Sequence, residues 1–177
     1  MSNALIIIDM QEFVNDRISN GVDAYPADAI ANMRAVLDTF RRSGHPVIHV
    51  RHHTPGEGSP LHATSPLAHV VEGFEEINGE PVLIKHTSSA FASTDLAACL
   101  SERAIDECVV IGAVAGFCVN STVRAGADAG FNMTVVKDAV LSFGLEGATH
   151  DAKNIHDVTI ALLQAGFAKI TETKAFL

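Results

Sequence analysis

The sequence predicts an α/β fold: a single-domain, open six-stranded parallel sheet with helices on both faces. Short continuous apolar runs of strand length recur along the chain, and segments with apolar residues at helical spacing separate them. Glycines follow several of these segments, at positions where helices end. Strands that alternate with helices through right-handed crossovers build a parallel sheet covered on both faces.

The elements follow one another in a regular order. The first strand is the apolar run at 4–9, which ends in a carboxylate and is typical of a strand buried on both faces. The first crossover helix has Ile30, Met33 and Leu37 at helical spacing, and Gly44 lies at its predicted end. The pattern predicts strands over 4–9, 46–50, 81–85, 107–113, 132–138 and 169–173, and helices over 26–43, 93–103, 119–129 and 149–164.

A long segment without periodicity, residues 52–79, is rich in Pro, Gly, Ser and His. Loops of this length in compact domains are usually lids, binding walls or subunit contacts. A plain surface excursion is the alternative. We expect this loop to contribute to substrate choice.

Composition limits the possible partners. A chain of 177 residues suits one buried core, so 1–177 is predicted to be a single domain. Hydrophobic residues make up 47% of the chain and charged residues 19%, a balance that favours a homo-oligomer. The formal net charge of −9 disfavours nucleic acid and anionic membrane surfaces. A small-molecule substrate is therefore the expected partner.

The sequence also predicts a cytoplasmic protein. No apolar run approaches the ~20 residues of a membrane-spanning helix, and the chain opens in a strand-like run without a charged leader. The three cysteines, Cys99, Cys108 and Cys118, form no CxxC pair and leave an odd thiol. This usage favours a reducing compartment over a disulfide framework.

Three reactive side chains lie at the carboxyl ends of predicted strands, where open parallel sheets bind their ligands. Asp9 ends the first strand, Lys85 ends the third, and Cys118 follows the fourth. A carboxylate, a cation and a thiol are the groups needed to activate sulfur for attack on a carbonyl. Cys118 also lies at the predicted start of a helix, where backbone amides favour a thiolate. These three residues form the candidate catalytic group.

Each of the three residues also has a plain structural interpretation. Asp9 could cap a following helix, and Lys85 could extend its aliphatic stem to solvent. Cys118 could be a small buried hydrophobe, as we predict for Cys99 and Cys108. The stretch at 112–116 has no dinucleotide- or phosphate-binding pattern, so it is interpreted as a tight turn that presents the nucleophile, and no cofactor is predicted.

The motifs around these residues resemble those of the isochorismatase-like cysteine hydrolases, the superfamily that includes nicotinamidases and N-carbamoylsarcosine amidase. The resemblance covers essentially the whole chain and implies their Rossmann-like fold. Its anchors are LIIIDMQ at 5–11, Lys85 with SSAF at 88–91 and TDL at 94–96, and the stretch 112–119 with STVR at 121–124.

The resemblance implies a role for each member of the group. Asp9 would be the general base, Lys85 the cation that favours the thiolate, and Cys118 the nucleophile that forms an acyl intermediate. The resemblance also implies a cis peptide between Ala113 and Val114. The backbone N–H groups of Val114 and Cys118 would form the oxyanion hole.

Metal-dependent nicotinamidases resemble one another in an Asp-x-His motif after the second strand. This chain instead has RHH at 51–53, with further histidines in the following loop. Since the metal carboxylate is absent, no metal is predicted. A zinc site remains an alternative because imidazole is a common ligand, and its candidate ligands are His52, His53, His62 and His69.

Four side chains are predicted to line the substrate pocket: Phe13, His52, Phe91 and Phe117. His52 lies nearest the carboxyl end of the second strand, and the three phenylalanines are near the candidate catalytic residues in sequence. Such rings suit a small planar or ring-bearing substrate. Ordinary core packing is the alternative for each ring.

The predicted function is metal-independent, amidase-type hydrolysis of a C–N bond in a small amide, lactam or ureido compound. One rival is vinyl ether hydrolysis as in isochorismatase itself, where protonation by a carboxyl group dominates. A second is a catalytically silent ligand-binding or scaffold protein, an interpretation favoured by Ala115, which stands where many family members have a threonine. A third is a redox role for Cys118, although no resolving cysteine lies nearby in sequence.

Overall fold

The predicted alternation of strands and helices is present in the structure, a computed structural model that describes residues 2–77 and 79–177. The predicted domain over 1–177 and the predicted loop over 52–79 include Met1 and Asn78, which lie outside the described residues. The strands are β1 (Ser2–Ile8), β2 (Ala24–Tyr25), β3 (Val47–His52), β4 (Val82–Lys85), β5 (Ile105–Ala113), β6 (Asn132–Phe143) and β7 (Ala168–Thr171). The helices are α1 (Glu12–Ser19), α2 (Ala29–Arg42), α3 (Ala90–Ser93), α4 (Leu96–Ser101), α5 (Asn120–Asp128) and α6 (Ala152–Gly166), with 3₁₀ turns at Pro66–Ala68 and Thr173–Ala175 and a π-helical turn at Ala115–Val119.

The strands form one sheet in the order β4-β3-β1-β5-β6-β7, and all of these neighbours are parallel. The predicted α/β fold with six parallel strands is therefore confirmed. The two-residue strand β2 adds an antiparallel partner at the end of β6, where Ala24 pairs with Phe143. The complete sheet is mixed and has seven strands.

Two apolar cores lie on the two faces of this sheet. Successive side chains of a strand point to opposite faces, so in β1 the side chains of Ile6 and Ile8 join one core and those of Leu5 and Ile7 join the other. Residues of α3, α4, α5 and α6 cover the first core, and residues of α1 and α2 cover the second. Burial on both faces explains why the first strand reads as a continuous apolar run.

The structure corrects several element boundaries. The predicted helix over 93–103 corresponds to α4, and the short helix α3, which ends at Ser93, was not predicted. Thr94, in an extended conformation, lies between the two helices. The Thr94 side chain accepts a hydrogen bond from the Leu96 N–H at 3.1 Å, a local bond that competes with continuation of the helix. The sequence interpretation did not include α1 or β2, and β6 extends five residues beyond its predicted end at 138.

Strand register places the candidate residues along one edge of the sheet. In β1, Ile8 pairs with Val50 of β3 on one side and with Gly112 of β5 on the other. At the end of β3, His52 pairs with Lys85 of β4. The residues that follow β1, β3, β4 and β5 therefore meet at a common carboxyl edge.

Candidate active site

Asp9 is the first residue after β1, and a close backbone contact defines its position. Its N–H donates to the Val50 carbonyl at 2.9 Å, and its φ of 50° lies in the left-handed region. Gly112 of β5, with φ of 124°, lies so close to β1 that a Cβ there would be 2.1 Å from the Ile8 carbonyl oxygen. Only glycine permits this approach, which brings the chain after β5 beside Asp9.

Lys85 ends β4, and its side chain lies over the end of β3 to reach Asp9. The Lys85 Nζ is 2.8 Å from the Asp9 Oδ2, and both side chains are buried. The ammonium also donates to the Thr87 carbonyl at 3.2 Å. Lys85 is fully buried, so the alternative of a lysine that extends to solvent is wrong.

Cys118 lies in the π-helical turn that precedes α5. This turn follows a cis peptide between Ala113 and Val114, and its first residue, Ala115, is buried in the apolar core. The turn thus forms with an alanine, and no side-chain hydroxyl, at position 115. The Lys85 Nζ is 3.1 Å from the Cys118 Sγ, and the cysteine is half-buried. Single π-helical turns occur frequently at functional sites.

The segments that follow Lys85 and Cys118 in the chain are also joined to each other. The buried Thr122 of α5 accepts a hydrogen bond from the Ala90 N–H of α3 at 3.0 Å. This bond connects two of the motif segments recognised in the sequence, SSAF at 88–91 and STVR at 121–124. It helps to hold the segment after Lys85 against the helix that follows Cys118.

The structure brings the Asp9 carboxylate and the Cys118 sulfur together at the Lys85 ammonium. Among the described residues, the Asp9 Oδ1 has no hydrogen-bond partner. One carboxylate oxygen of Asp9, one ring nitrogen of His52 and the Cys118 sulfur all lie within 4.8 Å of one another. The carboxylate is therefore within reach of the thiol proton. Such a group can deprotonate a thiol and hold the resulting negative charge beside a cation.

Burial shifts the pKa values of Cys118 and Asp9. Burial, together with the Asp9 charge, raises the pKa of the Cys118 thiol to about 12, although Lys85 opposes the shift. Burial also raises the pKa of Asp9 above its ordinary value, again against the effect of Lys85. The sulfur is therefore a thiol at neutral pH rather than the thiolate expected from a helix start. A thiol in this state would need a base in order to act as a nucleophile, and a carboxylate with a raised pKa is a stronger base.

The group contains potential metal ligands, but Lys85 contacts all of them. Among residues 2–77 and 79–177, Asp9, His52 and Cys118 form the one cluster of potential ligands within reach of a common ion. The Lys85 Nζ already contacts all three, at 2.8 Å from Asp9, 2.8 Å from His52 and 3.1 Å from Cys118. A cation would have to displace this ammonium. In the described part of the chain, the other candidate ligands, His53, His62 and His69, are not in the cluster.

Gln11 ends the LIIIDMQ motif at 5–11, but sequence reasoning gave it no role in the site. Its buried side chain accepts from the His52 N–H at 2.8 Å and donates to the His52 carbonyl at 3.0 Å and to the Ala68 carbonyl at 2.8 Å. It thereby joins the ends of β1 and β3 to the long loop. A polar residue two positions after a buried carboxylate is the only local signal, and it does not identify these distant partners.

The predicted pocket residues have different environments. His52 contacts Lys85 through its Nδ1, and Phe117, next to Cys118, is 50% exposed. Phe91 packs against Phe131 with ring centroids 5.5 Å apart, and Phe13 packs against the core covered by α1 and α2. Pocket roles for these rings stay predictions.

Two cavities lie elsewhere on the molecule. One of about 880 Å³ lies between β2, β7 and α6 and includes Tyr25, His156 and Glu172 in its lining. The other, of about 570 Å³, lies at the opposite ends of β6 and β7. Neither is lined by Asp9, Lys85 or Cys118, so cavity size does not identify the chemically active region.

The three cysteines differ in exposure. Cys99 and Cys108 are buried, as predicted, and Cys118 is more exposed than either.

Within the described ranges, none of the helices combines the length and apolar character needed to cross a bilayer.

Comparison with known proteins identifies the family. The model of the isochorismatase domain matches residues 3–175. The isochorismatase family protein YddQ of Bacillus subtilis (strain 168) is 35% identical over 184 residues, covering 100% of this chain and 99% of that protein. An isochorismatase from Pseudomonas putida KT2440 has a similar structure, with a TM-score of 0.88 and 31% identity over 99% of this chain and 90% of that one.

A second solved structure is similar over nearly the same length. N-carbamoylsarcosine amidase from Thermoplasma acidophilum has a TM-score of 0.74 and 26% identity, covering 98% of this chain and 97% of that chain. The family model spans nearly the entire chain, and the two solved structures share its fold. The chain therefore belongs to the isochorismatase family of hydrolases.

Proposed function

We propose that this hydrolase cleaves a C–N bond in a small amide, lactam or ureido compound through an acyl intermediate on Cys118. One observation carries the proposal: the buried Lys85 ammonium contacts both the Asp9 carboxylate, at 2.8 Å, and the Cys118 sulfur, at 3.1 Å. A thiol with a pKa near 12 needs this arrangement to become a nucleophile at neutral pH. Similarity to N-carbamoylsarcosine amidase supports the C–N bond as the target.

In the first half of the reaction, the sulfur becomes acylated. Asp9 accepts the thiol proton as the Cys118 sulfur bonds to the substrate carbonyl carbon, and Lys85 stabilises the charge on sulfur. The carbonyl oxygen becomes an oxyanion that accepts hydrogen bonds from the backbone N–H groups of Val114 and Cys118. The C–N bond then breaks, the nitrogen takes the proton from Asp9, and a thioester remains on sulfur.

The second half releases the acid. Asp9, again a carboxylate, takes a proton from water as the water oxygen attacks the thioester carbon. The C–S bond breaks, and the thiol regains its proton from Asp9. Each oxyanion donor in comparable acyl-transfer enzymes contributes about 10²–10³ in rate.

Replacement of the nucleophile tests the proposal. Cys118→Ala is expected to abolish turnover of a panel of small amides, lactams and ureido compounds while the far-ultraviolet circular dichroism stays unchanged. Cys99→Ala serves as the matched control. Cys99 lies on α4 and packs in the core, so its replacement should leave turnover intact. Mass spectrometry of wild-type protein quenched during turnover should find the acyl adduct on the peptide that contains Cys118. Full activity in Cys118→Ala would refute the nucleophile assignment.

A second candidate is vinyl ether hydrolysis, supported by a specific feature of Asp9. A carboxyl group whose pKa is raised by burial can donate a proton, as this reaction requires. The similarity to the Pseudomonas putida isochorismatase points the same way. Turnover of an enol ether substrate by Cys118→Ala, with no adduct on the wild-type sulfur, would favour this candidate.

The silent-scaffold alternative makes a different prediction about thiol reactivity. The site proposed here should make Cys118 react with iodoacetamide faster than the buried Cys99 and Cys108. Equal rates at all three sulfurs would support a protein that binds ligands without catalysis.

We also propose a cytoplasmic homo-oligomer that acts on a small molecule and binds neither nucleic acid nor membranes. The three unpaired cysteines and the net charge of −9 support these assignments. Large apolar side chains at the surface, among them Val158 at 59% and Leu162 at 53% exposure, support self-association. Sedimentation velocity measures the mass of the assembly, and a monomer at micromolar concentration would refute the oligomer.

A further inference from the structure

More hydrogen-bond acceptors surround the Lys85 ammonium than it has N–H groups. Four acceptor atoms lie within 3.2 Å of its Nζ: the Asp9 Oδ2 at 2.8 Å, the His52 Nδ1 at 2.8 Å, the Cys118 sulfur at 3.1 Å and the Thr87 carbonyl at 3.2 Å. An ammonium group has three N–H donors and no acceptor. At least two of the four acceptors must therefore share one N–H.

The contact with His52 determines which imidazole tautomer is present. Since the ammonium can only donate, the His52 Nδ1 must be an unprotonated acceptor, and the proton of the neutral ring lies on Nε2. Burial and the neighbouring Lys85 charge lower the pKa of His52 to about 4, in agreement with a neutral ring. His52 can therefore occupy one N–H of Lys85 throughout a reaction cycle at neutral pH.

Gln11 holds this histidine in place. Its carboxamide bonds both backbone polar groups of His52, at 2.8 and 3.0 Å, and is itself fully buried. The backbone of Thr87 lies two residues beyond Lys85 and supplies the other acceptor outside the reacting pair. Two of the four acceptors, the His52 Nδ1 and the Thr87 carbonyl, thus take no part in proton transfer.

We propose that His52, held by Gln11, is a positioning residue that limits Lys85 to a single N–H shared between Asp9 and Cys118. This inference deepens the function proposed above and depends on it for its catalytic consequence. While the sulfur carries its proton, the Asp9 carboxylate shares this N–H with the sulfur and is only partly neutralised. When Asp9 accepts that proton, its attraction for the N–H falls and the N–H turns to the new thiolate. The same ammonium therefore neutralises each charge in turn, and Asp9 stays a strong base because Lys85 does not bind both anions fully at once.

A pair of His52 variants tests this role. His52→Leu fills a similar volume without an acceptor, so the released N–H can bond Asp9 and Cys118 together. His52→Asn keeps an acceptor oxygen near the position of Nδ1. In His52→Leu we expect kcat to fall by about tenfold or more because Asp9 is a weaker base, whereas KM changes by less than about threefold. In the same variant the thiolate is better stabilised, so the rate of Cys118 alkylation by iodoacetamide at pH about 8 should rise by about tenfold.

The control variants separate positioning from general disruption. His52→Asn should keep both values within about threefold of wild type, as should His69→Asn, whose exposed ring lies in the long loop. If alkylation rose only because the site had opened, the smaller asparagine would give the larger increase. A fall or no change in the alkylation rate of His52→Leu, or equal effects in His52→Leu and His52→Asn, would overturn the proposal.

A measurement on wild-type protein covers the case in which a variant does not fold. Imidazole nitrogen chemical shifts of ¹⁵N-histidine-labelled protein should show His52 as the neutral tautomer with its proton on Nε2 between about pH 6 and 8. A proton on Nδ1 would overturn the proposal. Neither this spectrum nor the alkylation rate needs a substrate, so both remain informative if the tests of amide hydrolysis fail.

Discussion

The Lys85 Nζ lies 2.8 Å from the Asp9 Oδ2, and the two side chains are 0% and 3% exposed. Buried ion pairs contribute little net stability, since removal of both charges from water offsets their attraction. The pair is therefore better explained by chemistry than by stability. In the proposed reaction it supplies a base and a cation beside the same thiol.

Removal of one member of this pair should destabilise the fold. Lys85→Met leaves the Asp9 carboxylate buried without a cation, and we expect a loss of about 3–5 kcal/mol in the free energy of unfolding. Urea unfolding measures it. The double variant Asp9→Asn with Lys85→Met removes both charges and should recover much of that loss. Additive losses in the double variant would contradict the coupling of the two side chains.

The acidic limb of the activity profile should report the environment of Asp9. Burial raises the pKa of Asp9 from its ordinary value of 3.8, and the proposed reaction needs the unprotonated form. Activity should therefore be present at neutral pH and disappear as pH falls, with a midpoint in kcat/KM above 3.8. Steady-state kinetics with a substrate that does not titrate in this range measures the midpoint. A midpoint below 3.8 would contradict the assignment of Asp9 as the base.

The close approach of β1 and β5 predicts a strong effect of one methyl group. In Gly112→Ala the new Cβ would lie 2.1 Å from the Ile8 carbonyl oxygen, so the strands beside Asp9 must separate. We expect a loss of at least about 3 kcal/mol, since backbone shifts add to the strain of the positive φ. Gly130→Ala is the control, because Gly130 also has a positive φ but has open space around it, and it should cost only about 1 kcal/mol. Equal losses in the two variants by urea unfolding would contradict the steric argument.

A buried carboxylate far from the active site should make stability depend on pH. Burial opposes the ionised form of Glu80, but hydrogen bonds from Arg41 and His49 outweigh it and lower its pKa from 4.5 to about 2. A lowered pKa adds stability above pH 4.5, which is lost as pH falls towards 2. Glu80→Gln should therefore lose about 1–3 kcal/mol at pH 7, and its difference from wild type should shrink as the solution is acidified.

Thermal unfolding across this pH range tests the prediction. Glu72→Gln, which changes an exposed carboxylate, should show no comparable dependence. A constant difference between Glu80→Gln and wild type at all pH values would indicate that packing, and not ionisation, explains the loss.

Several parts of the fold follow from local sequence, and others do not. The apolar run before Asp9 is buried on both faces, so its pattern identified the strand correctly. The start of α4 was placed too early because the Thr94 hydroxyl accepts a hydrogen bond from the Leu96 N–H, a contact that the helical pattern does not reveal. The extension of β6 was missed because its pairing with β5 shifts register after Val110, and such irregularities leave no clear periodicity.

The sequence alone determined the order of strands and helices, because hydrophobic periodicity is a local property. It also identified Asp9, Lys85 and Cys118 as residues at one edge of the sheet, because strand ends can be recognised locally. Only the tertiary structure decided the pKa shifts of Asp9 and Cys118 and the contacts of Gln11 and His52. The pKa values depend on burial and on charges from other strands. The Gln11 contacts join residues 41 and 57 positions apart, and no local pattern encodes such distances.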